Sequence, residues 1–298
     1  MSFKEEFEKN NYFVESSDKR KIIGLKFTKL LLEKKSDFQN INVYDSEAYG
    51  KILMLDKVIQ TTDKDEFLYH ESIVHPAMFA CKNPKKVLVL GGGDGGCLRE
   101  VLKHDVEKVV MVELDKEVIE VSKEFLPTLS DGAFDDSRVE LVIGDGKKYI
   151  EETEEKFDVV ILDLTDPFGP SKFLYTKEFY ESVKNILTED GKVSLHCLTP
   201  FEYHETFGLI VRTLQSVFPF VQNHYVYISS YSIDTWFCLA SANSISLKNE
   251  KEISGLKYFS KDFFKSPMFI PKFVEELKSN GGIATVDNPI EWHSHTDR

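Results

Sequence analysis

Four short stretches of this chain combine glycine or carboxylate with an apolar run in a way that could do chemistry. The first is VLVLGGGDGGCLREVL, in which Gly91, Gly93 and Gly96 satisfy G-x-G-x-x-G directly after the apolar residues. Glycine there lets the backbone turn tightly and come close to a ligand. The spacing alone is weak, since glycines also simply make turns. Asp94 shifts the balance. A carboxylate inside the loop repels a pyrophosphate, which disfavours NAD, and attracts a cation. A phosphate-free adenosine bearing positive charge is the expected ligand, meaning S-adenosylmethionine or its decarboxylated form. Glu113 ends the next apolar run, where a carboxylate can take both ribose hydroxyls. Gly144-Asp145-Gly146 closes a further one and can set an acid beside adenine.

The remaining stretch, FDVVILDLTDPFGP, carries Asp163 and Asp166. A single aspartate before proline is ordinary turn chemistry. Two of them, opposite a loop that already holds Asp94, point to capture of an amine. Amine attack on carbon needs such groups. An alkyl ammonium has a pKa near ~10.4, so stripping its proton at neutral pH costs roughly 4–5 kcal/mol. Carboxylates that hold the nitrogen and accept its proton lower that barrier with no metal and no covalent intermediate. Orientation against a sulfonium-activated methylene supplies much of the rest. No metal or resident cofactor is expected, the sulfonium compound being a co-substrate. The eight histidines, His293 and His295 in the tail among them, read as surface or hydrogen-bonded structural residues.

These loops converge only if particular elements carry them. KVLVL (86–90), KVVMVEL (108–114), VELVIG (139–144), FDVVILD (157–163) and KVSLHCL (192–198) read as near-continuous apolar strands. Helices are expected near 97–103, 115–125, 176–187 and 203–217. Such alternation implies a parallel sheet covered on both faces, with ligands outside the carboxyl ends of its strands. FVQNHYVYIS and DTWFCLAS read as an antiparallel hairpin at one sheet edge, and a further helix is expected around 271–278. Before all this, 41–46, 49–55 and 57–62 read as a small antiparallel sheet, with turns at Ser46-Glu47 and Asp56-Lys57, followed by a helix over about 64–80. The expected fold is α/β: a Rossmann-like, methyltransferase-type doubly wound sheet over 64–298 behind an N-terminal β domain over 1–63.

Charge and cysteine usage narrow the partners. Across 298 residues, 37 Lys+Arg stand against 50 Asp+Glu, a net charge of −13. That balance disfavours nucleic acid and anionic membrane surfaces, and suits cationic small molecules. No stretch approaches the length of a membrane span. Cys81, Cys97, Cys197 and Cys238 are too scattered for a zinc site or a disulfide scaffold. A cytoplasmic protein is expected.

In combination, LDKVIQTTDKDEFLYHE, VLVLGGGDGGCLREVLKH, VELDKEVIEVSKEFLP, GDG, and DLTDPFGP with LYTKEFYE after it resemble the polyamine aminopropyltransferases, the spermidine synthase family. These motifs lie between about Gln39 and Ala240. The resemblance implies transfer of an aminopropyl group from decarboxylated S-adenosylmethionine to an amine, releasing 5′-methylthioadenosine, in a homodimer or homotetramer. By matching motif, Asp163 is the proton acceptor, and Tyr69, Asp163, Asp166 and Tyr231 hold the acceptor amine. Sulfonium-donor contacts fall to Gln39, His70, Asp94, Glu113, Asp145, Gly146 and Pro170, with Gln60 lining the site. Putrescine giving spermidine is the first expectation for the acceptor. Leu164 and Thr165 depart from the usual Asp-Ser-Ser-Asp-Pro of putrescine users, and Leu198 falls where they carry a glutamate. D-L-T-D-P, SIDTW and VDNPIEW are similar to thermospermine synthases and agmatine-using relatives. An amine N-methyltransferase and a non-catalytic polyamine-binding protein are the rival expectations.

Overall fold

The computed structural model describes residues 10–18, 21–167, 169–265 and 268–291. Trp292, His293 and His295 lie outside the described residues.

A two-stranded ribbon, β1 (Tyr12–Asp18) and β2 (Lys21–Lys26), precedes a four-stranded antiparallel meander. The meander comprises β3 (Lys29–Lys35), β4 (Asn40–Ser46), β5 (Gly50–Leu55) and β6 (Val58–Thr62). Asp56 and Lys57 have φ of 47° and 68°, the left-handed twist that a two-residue hairpin requires. Ile41 pairs with Leu55 and Val43 with Leu53. Their two-residue period puts all four on one face, where they bury against Val118, Val121, Leu126 and Leu129. That contact clamps the meander onto the next layer.

The helix α1 (Glu66–Ala80) leads into a seven-stranded sheet. Along the chain come β7 (Lys86–Gly91), α2 (Gly96–Leu102), β8 (Lys108–Glu113), α3 (Lys116–Phe125), α4 (Pro127–Ser130), β9 (Val139–Ile143), α5 (Gly146–Glu152) and β10 (Phe157–Asp163). Then follow α6 (Lys177–Asn185), β11 (Leu187–His196), α7 (His204–Val217), the hairpin β12 (Phe220–Ile228) and β13 (Ile233–Ser241), and α8 (Lys272–Ser279). The strand order is β12-β13-β11-β10-β7-β8-β9. Strands β7 to β11 pair in parallel, whereas β13 pairs antiparallel with β11 and β12. Leu88 and Leu90 enter one core and Val87 and Val89 the other, so both faces are buried. This is the doubly wound α/β arrangement expected.

The KVSLHCL strand is the element whose limits differ most from expectation. It starts earlier, at Leu187, and stops at His196 rather than 198. An irregularity in its pairing with β10, between Phe157 and Val159, absorbs the extra residues of LTEDG. Beyond His196 the chain breaks sharply, because Leu198 takes a φ of 66°. A branched aliphatic side chain pays strain there, offset by its burial in the main core.

α1 is buried around most of its circumference. It packs on β10, β11, β12, β13 and α2. Its polar side chains are therefore obliged to pair. Glu71 accepts three backbone N–H groups from Lys257, Tyr258 and Phe259, at 2.7–2.8 Å, pinning the C-terminal segment. His75 bonds Glu100 and His104, each at 2.9 Å.

Candidate active site

The chain reverses direction in the sheet at β7: β8 lies on one side of it and β10 on the other. A crevice opens outside the strand ends at such a point. Asp163, last residue of β10, lies in register with Gly91, last residue of β7. A Cβ on Gly91 would stand 2.1 Å from the Asp163 carbonyl oxygen, and its φ is 82°. Only glycine lets these strand ends close together. Gly96 makes room in the same way for the ring of His70, 2.2 Å from where its Cβ would be.

The acidic groups form a linked cluster. Tyr69, from α1, donates its hydroxyl proton to Asp163 Oδ1 at 2.8 Å. Burial, then the charge of Asp94, pushes the Asp163 carboxyl above its ordinary value, against the opposing pull of His70, Tyr69 and Cys97. Burial, then Asp163, also pushes the Tyr69 phenol well up, so it remains a proton donor. Asp94 Oδ1 accepts the Gly96 N–H at 2.8 Å, and its Oδ2 lies 3.3 Å from His70 Nε2. Burial alone would raise the Asp94 carboxyl; His70, the Gly96 N–H and Arg99 reverse that and hold it low. His70 Nδ1 meets Glu66 at 2.6 Å. Burial opposes the imidazolium, but Asp94 and Glu66 overcome it and raise His70 well above its usual range. Asp94 is thus an ionised carboxylate at neutral pH, backed by a cation.

His70, Cys97 and Asp163 bring ligand-type atoms within 4.8 Å of one another. Both nitrogens of His70 already engage carboxylates. Burial, then Asp163 and Asp94, holds the Cys97 thiol well above its usual range, so it faces Asp163 as a neutral S–H. This cluster orients Asp163 rather than offering three open ligands.

The residues expected to take the nucleoside lie at the ends of β8 and β9. Glu113 stands under the glycine loop, its Oε2 3.1 Å from a Cβ built on Gly93. Its Oε1 accepts the Asp115 N–H at 2.9 Å. Gln39, from the turn before β4, donates to Asp115 Oδ2 at 2.9 Å, which brings it to the Glu113 loop. Asp145 caps α5, accepting the N–H groups of Lys147 and Lys148, and is otherwise exposed to the crevice edge. Gly146 abuts Leu90, its Cβ position 2.3 Å from the leucine. Leu114 and Ile143 are 47% and 45% exposed beside Glu113 and Asp145. Apolar surface flanked by two acids is what a purine would cover.

The other expected residues take less direct positions. Tyr231 donates its hydroxyl to the Gln60 carbonyl, so the meander's β6 and the β12–β13 turn meet there. The Gln60 side chain itself turns back to the Val58 carbonyl at 3.3 Å. Pro170 is exposed in the 3-10 turn Gly169–Tyr175. Asp166 is half-exposed, its Oδ1 3.4 Å from His196 Nε2. His196 is the residue that sequence reading assigned to structure and the fold assigns to the site. Its Nδ1 lies 3.3 Å from the Tyr69 oxygen, so Asp163, Tyr69, His196 and Asp166 form one continuous line. The signal was available: His196 ends a parallel strand, at the same edge as Asp163. His75, His104 and His224, by contrast, are buried among structural partners, as expected.

Burial, with the neighbouring charges of Asp115 and Asp163, pushes the Glu113 carboxyl up to about 7. An ionised carboxylate is the better acceptor for a pair of ribose hydroxyls, so affinity for an adenosine bound here is expected to be full above about pH 7 and to fall, approaching tenfold per unit, as pH drops below it. Calorimetric titrations from pH 5.5 to 8.5 check this, with Glu113→Gln expected to bind weakly and without that slope.

A doubly wound sheet with a glycine loop and a cluster of carboxylates at its switch point is the arrangement of a Rossmann-type enzyme. Comparison with known proteins narrows this. The spermine/spermidine synthase domain model matches residues 66–251, and the spermidine synthase tetramerisation domain model matches 11–63. A polyamine aminopropyltransferase of Thermoanaerobacter sp. (strain X514) is 39% identical over 272 residues, covering 89% of this chain and 98% of that one. One from Sulfolobus acidocaldarius is 37% identical, covering 88% of this chain and 91% of the relative. The crystal structure of Thermotoga maritima spermidine synthase superposes with a TM-score of 0.81 at 37% identity, covering 90% of this chain and 94% of that one. A spermidine synthase bound to the transition-state analogue AdoDATO gives 0.82 at 37% identity, with the same coverage. The chain belongs to the spermine/spermidine synthase family and is an aminopropyltransferase.

Among the described residues, no helix is long and apolar enough to cross a membrane.

Proposed function

We propose that the chain transfers the aminopropyl group of decarboxylated S-adenosylmethionine to a polyamine acceptor, putrescine giving spermidine, and releases 5′-methylthioadenosine. No metal or resident cofactor takes part. The observation that carries this reading is Asp163: half-buried at the switch point, its carboxyl raised above its ordinary value by burial and the charge of Asp94, and fixed by Tyr69. Glu113, Asp145, Gly146 and Gln39 bind the nucleoside, with Pro170 over it. Asp94 meets the ammonium end of the aminopropyl arm, with His70 behind it holding the carboxylate in its ionised form. The acceptor lies along Tyr69, Asp163 and Asp166, with Tyr231 and Gln60 bordering it.

In the reaction, the acceptor nitrogen forms a bond to the methylene next to sulfur while the carbon–sulfur bond breaks. The bonding pair returns to sulfur, which becomes a neutral thioether. The nitrogen's surplus proton passes to Asp163. Raising that carboxyl narrows the gap to the amine and makes the transfer less uphill.

A second reading, transfer to a longer amine such as spermidine or to agmatine, draws on Leu198. Its side chain is buried in the main core just past β11, so that position offers no carboxylate for a far ammonium. Mass spectrometry of the products from an equimolar mixture of putrescine, cadaverine, agmatine and spermidine, with decarboxylated donor, tests both. Spermidine as the dominant product is expected. Dominant aminopropylagmatine or a tetraamine would install the second reading, and methylated amine with intact S-adenosylmethionine would replace both. The match of residues 11–63 to a tetramerisation model supports a homo-oligomer, dimer or tetramer, which light scattering resolves.

A further inference from the structure

We propose that Glu66 is a positioning residue for the donor: held by Arg99, it balances the charge of His70, so that Asp94 keeps a net negative charge for the ammonium of the aminopropyl arm. The inference rests on the reading of Asp94 as the residue that meets that ammonium, and adds a residue to which the motif resemblance assigns no role.

Three elements supply a row of alternating charges. Arg99, on α2, donates from a terminal nitrogen to Glu66 Oε2 at 2.8 Å. The same oxygen lies 2.6 Å from His70 Nδ1, one helical turn further along α1. His70 Nε2 lies 3.3 Å from Oδ2 of Asp94, in the glycine loop. Arg99 is fixed in turn: its Nε donates to Glu100 at 2.8 Å, and its second terminal nitrogen to the Leu129 carbonyl at 2.7 Å. The His70 ring has little room to turn away, because it fills the space that a side chain at Gly96 would need. Glu66 and His70 are buried, so solvent screens neither charge well.

In this row Glu66 and His70 cancel, and Asp94 is the charge left over. Burial alone would raise the Glu66 carboxyl; His70 and Arg99 reverse that and hold it low. A neutral side chain at position 66 leaves His70 two courses, and both weaken the hold on the arm. If the imidazolium persists, Asp94 becomes its one close counter-charge, and the ammonium meets a neutral pair. If the imidazolium gives up a proton, an amide oxygen at position 66 still accepts the one on Nδ1, so Nε2 is left bare 3.3 Å from a carboxylate oxygen. Asp94 then loses the main support that opposes its burial, and its ionised form is harder to keep. A row that merely stapled α1 to α2 would be indifferent to the charge at position 94.

The test is a double-mutant cycle read by calorimetry at neutral pH on the full chain: wild type, Glu66→Gln, Asp94→Asn and the two combined. The quantity compared is the ratio of affinities for decarboxylated S-adenosylmethionine and 5′-methylthioadenosine. A general loosening of the crevice weakens both ligands and cancels in that ratio. Glu66→Gln is expected to lower it by about 5- to 20-fold, within the range for residues coupled in one hydrogen-bonded network. Added to Asp94→Asn, the same substitution should change it by less than about twofold, because no charge is left to balance. Penalties that multiply in full, or an unchanged ratio in Glu66→Gln, overturn the proposal. A second measurement does not depend on the Glu66 variant folding: NMR of histidine-labelled protein, with His70 identified as the ring that shifts in Asp94→Asn. In the wild type that ring should carry a proton on both nitrogens at neutral pH, and a neutral ring, leaving Glu66 nothing to balance, overturns the proposal. Asp94→Asn with the wild-type ratio would instead remove Asp94 from the donor's arm, and with it the reading on which the proposal rests.

Discussion

Asp163→Asn is expected to slow aminopropyl transfer by at least ~100-fold, the lower end of what a positioned general base contributes. The substitution is nearly isosteric and leaves the backbone carbonyl against Gly91 in place, so the strand ends that shape the crevice stay closed. The amide oxygen still accepts the Tyr69 hydroxyl. What disappears is a negative charge that holds the ammonium and a basic atom that takes its proton. Two consequences separate in the kinetics. The lost charge raises acceptor KM, and the lost base lowers kcat, so kcat/KM falls further than either. Without an internal base the variant depends on amine already deprotonated in solution, and its rate should climb close to tenfold per pH unit from 7 to 9. The wild type should climb less steeply over that range. Binding of 5′-methylthioadenosine, measured by calorimetry, should change little, because the residues proposed to hold the nucleoside lie at β8 and β9. A variant retaining wild-type kcat would move the base to another group.

How much of this was legible beforehand differs by element, for physical reasons. β7, β8 and β10 bury both faces, so they read as unbroken apolar runs, and their order followed from alternation with helices. The glycine loop and Asp94 announced a site because glycine at Gly91 and Gly96 answers a steric demand that other residues fail. β3 was missed because KLLLEKK is half exposed and alternates poorly. The ribbon of β1 and β2 was missed as well: it makes a satellite cluster with Ile52, Met54 and Ile59, formed across the chain rather than in any local pattern. β11 was misplaced because LTEDG reads as a turn, and only pairing with β10 and β13 extends the strand over it. Tyr69 and His70 were legible through motif resemblance alone. α1 is buried on nearly all sides, so its sequence shows no polar face from which one functional edge would stand out. His196 stayed hidden for a related reason. A histidine in an apolar strand is ordinarily satisfied by a core partner, as His224 is by the Ser72 carbonyl. What distinguishes His196 is the tertiary meeting of three elements at its two nitrogens.

Asp94→Asn is expected to weaken binding of decarboxylated S-adenosylmethionine by between about 10- and 100-fold, the range spanned by losing one hydrogen bond to a charged group. The sign follows from the partners of Asp94. His70 and the Gly96 N–H keep it ionised, so in the proposed site it would meet the ammonium of the aminopropyl arm as a full charge. Asparagine presents one oxygen, which cannot serve both the Gly96 N–H and His70, and it brings an NH₂ that faces the ammonium unfavourably. Because Glu66 remains beside His70, the imidazolium keeps a counter-charge and the fold should persist, which a thermal melt checks. Two further ligands locate the effect. 5′-Methylthioadenosine lacks the charged arm, so its affinity should fall less than about threefold. Intact S-adenosylmethionine carries a carboxylate at the end of its arm. At an effective dielectric near 20, two like charges about 4 Å apart repel by about 4 kcal/mol, and neutralising Asp94 relieves that cost. The variant should therefore lose affinity for the decarboxylated compound while holding or gaining it for the intact one. Preference between the two arms would then rest on the charge of Asp94, and an unchanged ratio of the two affinities would place the arm elsewhere in the crevice.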